Sequence, residues 1–234
     1  MKTFFISASM LIMSGIGFAE EPQPQMITIP SGPPEIVDWA PSTKKFPYRI
    51  PFDEHTTVKV SELKNKVDGK PVGIIVFAPE NKDDTVFAMR RGSVIDVSTV
   101  KSPLNRADKN GNPKNEGDKM VCGIKIKHSD GTVAEYVGIG LGKSFVQVGD
   151  AVDPSTPLGI VAETPSVVCA VLFVYVKDNQ LYSFFPHFAL ASGLTSVPAE
   201  GTQKWTPYLD DKMMTADMSR SERKKYDAMH NIKP

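Results

Sequence analysis

Gly138-Ile-Gly-Leu-Gly-Lys-Ser144 has the spacing with which a phosphate-binding loop ends, a lysine and a hydroxyl following a glycine. That loop also needs a glycine five residues before Gly142, where Val137 stands, and it must open a helix whose amides face the phosphate. Phe145 to Asp150 reads as strand and turn, so a hairpin is expected here, not a nucleotide site. Asp108-Lys-Asn-Gly-Asn-Pro113 resembles a calcium loop at its first, third and fifth positions. Pro113 replaces the glycine of the sharp turn, and Lys119 stands where the bidentate glutamate belongs, so a solvated loop is expected. Asp118-Lys119-Met120 has the form of a lipoyl- or biotinyl-carrying lysine, but the Gly149-Asp150 turn follows it in the wrong order.

His55, His128, His187 and His230 have no histidine or cysteine at metal-ligand spacing. A lone histidine is usually structural or solvated. No Gly-x-Ser-x-Gly elbow is present. The residues by themselves therefore offer no catalytic constellation and imply no cofactor.

The elements that would position these side chains are short. Runs rich in Val, Ile and Phe (72–77, 85–88, 93–97, 121–126, 133–137, 158–162 and 167–176) alternate with glycine and Asp/Asn turns. That texture predicts an all-β domain of packed sheets over about 58–189. Ser102 to Lys119 is polar and predicts one long exposed loop. Eight prolines punctuate the stretch before Phe52, which predicts an extended arm over 20–57 with at most short edge strands. After His187 the strand pattern is expected to stop, leaving a tail over 190–234. Within that tail, Ser219-Arg-Ser-Glu222 is a capping-box signature for a basic amphipathic helix reaching about Met229.

Composition narrows the function. Of 234 residues, 27 are basic and 27 acidic, so the electrostatic footprint of non-specific nucleic-acid binding is missing. Residues 1–19 carry Lys2, an apolar run from Phe4 to Met13, and Gly17 and Ala19 ahead of Glu20. This is the pattern of a cleaved secretory signal, with a run too short to span a bilayer comfortably; a signal anchor is the alternative. Export to a periplasm or beyond is expected, with no later membrane span. In an oxidising compartment Cys122 and Cys169, each in an apolar strand-like stretch, are expected to form a disulfide; two buried free thiols are the alternative.

Four segments over about 70–185 resemble the LytM-type (lysostaphin-like) family of zinc metallopeptidases, which cut peptidoglycan cross-links. Thr85-Val-Phe-Ala-Met-Arg-Arg-Gly-Ser-Val94 is similar to its strand and glycine turn. Ile124-Lys-Ile-Lys-His-Ser-Asp-Gly-Thr132 with Tyr136 resembles "V-x-I-x-H-x-x-G" and "Y-x-H-L". Val146-Gln-Val-Gly-Asp-Ala-Val152 with Leu158-Gly159 resembles "V-x-x-G-x-x-V-x-x-G-x-x-I-G", and Val171 to Val176 falls where the family has "H-L-H-F-x-V". The resemblance implies a β-sandwich of antiparallel sheets, the duplicated hybrid motif.

The same resemblance implies that the catalytic positions are lost. The family's "H-x-G-x-D" aligns with Pro71-Val-Gly73-Ile-Ile75, its "H-x-H" with Ala170-Val-Leu172, and the histidine of "Y-x-H" with Gly138. None of these side chains offers Zn²⁺ a nitrogen, thiolate or carboxylate. Without the metal there is no water of lowered pKa. The expectation is an exported, non-catalytic LytM-like homologue that binds an envelope protein, such as a wall hydrolase, or peptidoglycan. Its surface would be a degenerate groove lined by Ile75, Gly138, Ala170 and Leu172, whose ordinary alternative is core packing. Two other readings stay open: an active hydrolase with relocated ligands (His55, His128 or His187), and a structural envelope component acting through its arm and tail. Trp39, Trp205 and Tyr208 are candidate anchors in those extensions. Arg90 and Arg91, beside the Gly92 turn, are candidates for an anionic wall polymer, against the plainer expectation of a solvated turn.

Overall fold

The computed structural model describes residues 46–67, 70–80, 85–101, 120–162, 169–178, 180–190, 192–196 and 202–230, together with 35–36; for 35–36, 63–67, 70–73 and 196 it describes the backbone only. The expected signal sequence, Trp39, most of the proline-rich stretch, and the 102–119 loop with its Asp108 and Lys119 motifs lie outside the described residues.

The described chain is all-β, with two short helices at its end. In order come β1 (Glu35–Ile36), β2 (Val58–Val67), β3 (Lys70–Pro79), β4 (Thr85–Phe87), β5 (Gly92–Lys101), β6 (Met120–Lys127) and β7 (Thr132–Ser144). There follow β8 (Ala151–Val152), β9 (Pro157–Val161), β10 (Cys169–Lys177), β11 (Gln180–Ser183), β12 (His187–Leu190), β13 (Gly193–Ser196) and β14 (Thr202–Trp205), then α1 (Asp211–Thr215) and α2 (Arg220–Met229). The main sheet runs β14-β2-β3-β10-β7-β6-β5-β8, with β11 beside β10 and β9 linking β7 to β4. Its pairings are antiparallel apart from the short β1–β11 contact.

Strand alternation decides what is buried. Ile75, Phe77, Val171, Phe173, Ala134, Tyr136, Ile124 and Ile126 share one face and form the core. Ile74, Val76, Ala170 and Leu172 take the opposite face and form a second, smaller apolar cluster.

Two turns show local sequence setting the geometry. The β6–β7 hairpin turns at His128-Ser-Asp-Gly131, with Gly131 at φ 84° and closing bonds from His128 N to Thr132 O and from Gly131 N to His128 O. Gly92 opens β5 where any Cβ would stand 2.3 Å from the Lys127 carbonyl oxygen, so no larger residue fits.

The structure corrects several expectations at the margins. The proline-rich arm does not run loose to residue 57. Tyr48, Ile50 and Phe52, two residues apart, are fully buried in the core, while Pro47 and Pro51 occupy the alternate positions. Arg49 sits among them, donating to the carbonyls of Ile50, Phe52 and Pro154 at 3.0, 2.6 and 2.6 Å. Nor do strands end near His187. The β12–β13 hairpin follows, and β14 extends the sheet beside β2, bringing Trp205 into the core 5.5 Å from the Phe188 ring.

Gly138 to Ser144 is the end of strand β7, and β8 is the next described element. The helix N-terminus that a phosphate loop requires is therefore missing from this place.

The disulfide expected between Cys122 and Cys169 is not formed; both are free, buried thiols. The reason is topological. Cys122 lies on β6 and Cys169 on β10, and β7 runs between them. Two inter-strand spacings separate their Cα atoms by roughly 10 Å, beyond the ~7 Å a bridge can span. Burial pushes the Cys169 thiol up to about 12.

The capping box is present at α2. The Ser219 side chain accepts from Glu222 N, and Glu222 reaches back to Ser219 N.

Candidate functional site

The Ala170-Val-Leu172 segment sits mid-sheet, between β3 and β7. Because side chains alternate, Val171 enters the core while Ala170 and Leu172 emerge together on the other face. There they meet Ile74 and Val76. Ala170 is buried, and Leu172 and Val76 are half-buried. Val137 lies opposite Ala170 on β7, and Val133 opposite Val174, so the hydrocarbon surface extends across that strand.

The patch ends in a polar ladder. Glu135 lies opposite Leu172, Lys125 opposite Glu135, and Asp96 opposite Lys125. Lys125 Nζ stands 3.3 Å from Asp96 Oδ2 and 3.9 Å from Glu135 Oε1, and the Ser98 hydroxyl donates to Asp96 at 2.9 Å. Burial raises the Glu135 carboxyl above its ordinary range, with Lys125 opposing that effect only in part.

The four expected groove residues are not brought together. Ile75 pairs with Val171 and points into the core with no exposure. Gly138 is the extra residue of a β-bulge: Val137 pairs with Gly123 and Ile139 with Cys122, leaving Gly138 between them at φ 123°. Only Ala170 and Leu172 share the face. Their actual neighbours, Ile74 and Val76, were one register step from legible, since any strand carrying Ile75 inward carries these two outward.

A second constellation went unseen in the sequence. Arg90, one residue before the turn pair Arg91-Gly92, is 3% exposed. Its Nη1 donates to Asp130 Oδ2 at 2.8 Å, and its Nε and Nη2 donate to Asp217 Oδ2 and Oδ1 at 2.7 and 2.9 Å. The guanidinium also lies 5.0 Å from the Phe46 ring centre and 5.4 Å from that of Tyr48. Asp130 is fixed by the hairpin, its Oδ1 accepting from Thr132 N at 3.1 Å and Thr132 Oγ1 at 2.7 Å. Burial alone would raise its carboxyl, but the bonds from Arg90 and Thr132 outweigh it and hold the pKa below the usual range. Arg91 reaches Glu222 Oε1 at 2.5 Å. The arginines expected in a solvated turn are thus both taken up by acidic residues of the tail.

His128 belongs to the same cluster. Its Nδ1 bonds the Arg91 carbonyl oxygen at 2.9 Å, and its ring meets Tyr48 edge-on at 5.2 Å. Nε2 is buried without a partner. Burial first, then the Arg90 charge, push its pKa down to about 4, so the ring is neutral with the proton on Nδ1. The other histidines are elsewhere: His55 in an exposed turn, His187 on β12, His230 capping α2 against Tyr226. Among the described residues no three His, Cys, Asp or Glu side chains are grouped so as to hold a metal ion. Tyr208 is half-buried beside Asp210.

No protein-family model matches the chain, and no curated protein does. Among solved structures, the chain is similar to one described as a novel M23 metalloprotease, pseudoalterin, from deep-sea, at 13% identity and a TM-score of 0.40. That likeness covers 76% of this chain and 98% of the other.

Proposed function

We propose that this chain is an exported, non-catalytic LytM-like module of the bacterial envelope that binds a partner protein, such as a wall hydrolase, or peptidoglycan itself. The observation that carries this reading is the shared face of Ala170 and Leu172. The two positions that resemble the family's "H-x-H" do project side by side from one strand, but they project hydrocarbon. Methyl groups cannot ligate a Lewis acid or take a proton, whereas a half-buried apolar patch bordered by charge is ordinary recognition surface. The signal-like residues 1–19 support export.

The test pairs binding with catalysis. Purified protein is sedimented with isolated peptidoglycan, used to capture envelope wall hydrolases from the native host, and run in a wall zymogram. The wild type is expected to bind one of these two partners and Leu172→Asp to lose it, with no clearing in the zymogram. Clearing that depends on stoichiometric zinc would overturn the reading.

A further inference from the structure

We propose that the C-terminal segment 208–230 is an acid-released latch, in which protonation of His128 detaches α1 and α2 from the sheet while the β-core stays folded. Its attachment is strongly polar. Trp205 and the Leu190–Pro207 bridge are the last points at which the chain is woven into strands. Beyond them α1 buries Met213 and Thr215, and α2 buries no residue at all. Two ion pairs tie this segment to the sheet, Asp217 on Arg90 and Glu222 on Arg91, while Arg223 bonds Thr215 and Asp227 within the segment itself. The segment therefore holds together internally and leans on two arginines that are adjacent in sequence.

His128 lies beneath those arginines. The groups facing it are Arg90 and the Arg91 carbonyl from the β4–β5 turn, Asp130 from its own hairpin, Tyr48 from the opposite flank and Asp217 from the tail. Arg90 already engages both carboxylates. A proton on Nε2 would create a second buried cation beside Arg90, with no hydrogen-bond acceptor in place. Relief needs water or a freed carboxylate, and both come from lifting Asp217 away, since that side chain is 2% exposed and seals its side of the cluster. The linkage has one direction. The closed state holds His128 neutral down to about pH 4, whereas an open, hydrated ring titrates near its ordinary 6.5. The open state thus binds more protons between those values, and acid favours it. Opening bares the Arg90 guanidinium.

Hydrogen exchange of the full chain, read by mass spectrometry and corrected for intrinsic rates, tests this. From about pH 7 to about pH 5 the opening equilibrium of amides in 208–230 should rise about twentyfold, while amides of β6, β7 and β10 keep their protection. His128→Asn, which can still donate to the Arg91 carbonyl but does not titrate, should hold the tail closed at about pH 5. A tail that opens equally in H128N, one that does not open in the wild type, or tail and core losing protection together would each overturn the proposal. If H128N does not fold, the wild type decides it alone. Its tail-opening equilibrium must climb as pH falls through about 6.5 and level off near about 4, the open and closed values of the ring, and a rise outside that window overturns the proposal.

Discussion

Arg90 Nε and Nη2 grip the two oxygens of Asp217 side-on, at 2.7 and 2.9 Å, across 127 residues of sequence. With both side chains nearly closed to water, this is a fully desolvated ion pair whose second carboxylate, Asp130, comes from the β6–β7 hairpin. One guanidinium therefore joins the glycine turn, the hairpin and the tail.

Breaking that pair from one side should cost far more than removing it. Arg90→Met leaves Asp217 and Asp130 without their cation and should lower the unfolding free energy by about 3–5 kcal/mol, whereas Asp217→Asn leaves Arg90 still paired with Asp130 and should cost less. The double variant Arg90→Met with Asp217→Asn should cost less than the sum of the two. Urea unfolding of the four proteins checks this. Strict additivity would mean that the pair is not coupled.

The interior was readable because period-two alternation survives in β3, β6, β7 and β10, where one face must be apolar. The α2 cap was readable because both halves of a capping box lie within four residues. The tail's strands were not. Gly193-Leu-Thr-Ser196 and Thr202-Gln-Lys-Trp205 are short edge elements with little apolar character, placed by their partners and not by propensity. Prolines hid the burial of Tyr48, Ile50 and Phe52, since they signal an irregular chain but say nothing of where its alternate side chains point. Arg90 and Asp217 carried no signal of each other, because an ion pair at that separation leaves no local pattern.

Glu135 should report on the polar ladder beside Leu172 through its pH dependence. Its carboxyl titrates higher in the fold than in the unfolded chain, where it would sit near 4.5. The folded state therefore binds the extra proton, and this group's stabilising contribution is present below 4.5 and lost as pH rises through the folded value. Glu135→Gln removes the ionised form, so at about pH 7 the variant should match or exceed the wild type in stability. That advantage should shrink as the medium is acidified. Urea midpoints taken from neutral pH downward follow it, and a variant that weakens the fold equally at every pH would show that the Lys125 contact outweighs burial.

The thiols should behave as isolated core residues. Reductant should leave the thermal midpoint unchanged, and both cysteines should react with a thiol reagent in the unfolded protein without prior reduction. Cys169 is fully buried on the core face, so Cys169→Ser introduces a hydroxyl into apolar surroundings and should cost about 1–3 kcal/mol. Cys169→Ala should cost less, and thermal melts of the two variants compare them directly. A mass deficit of two hydrogen atoms in the native protein would restore the bridge.

Ile75 and Leu172, paired in expectation as groove residues, should separate cleanly when each is replaced by alanine. Ile75 has no exposure and packs with Val171 and Phe77, so its truncation opens a core cavity and should cost about 2–5 kcal/mol. Leu172 is half-buried on the other face, where water and small shifts of Val76 and Ile74 can fill the space. Leu172→Ala should lose roughly 1 kcal/mol or less. Binding should rank the two in reverse. At a temperature where both remain folded, Ile75→Ala should retain the envelope partner or peptidoglycan, whereas Leu172→Ala should weaken capture several-fold. Chemical denaturation and a sedimentation assay on the same preparations give both rankings. If Leu172→Ala binds as well as the wild type, recognition does not use this face of the sheet, and the hydrocarbon at Ala170 and Leu172 is simply packing.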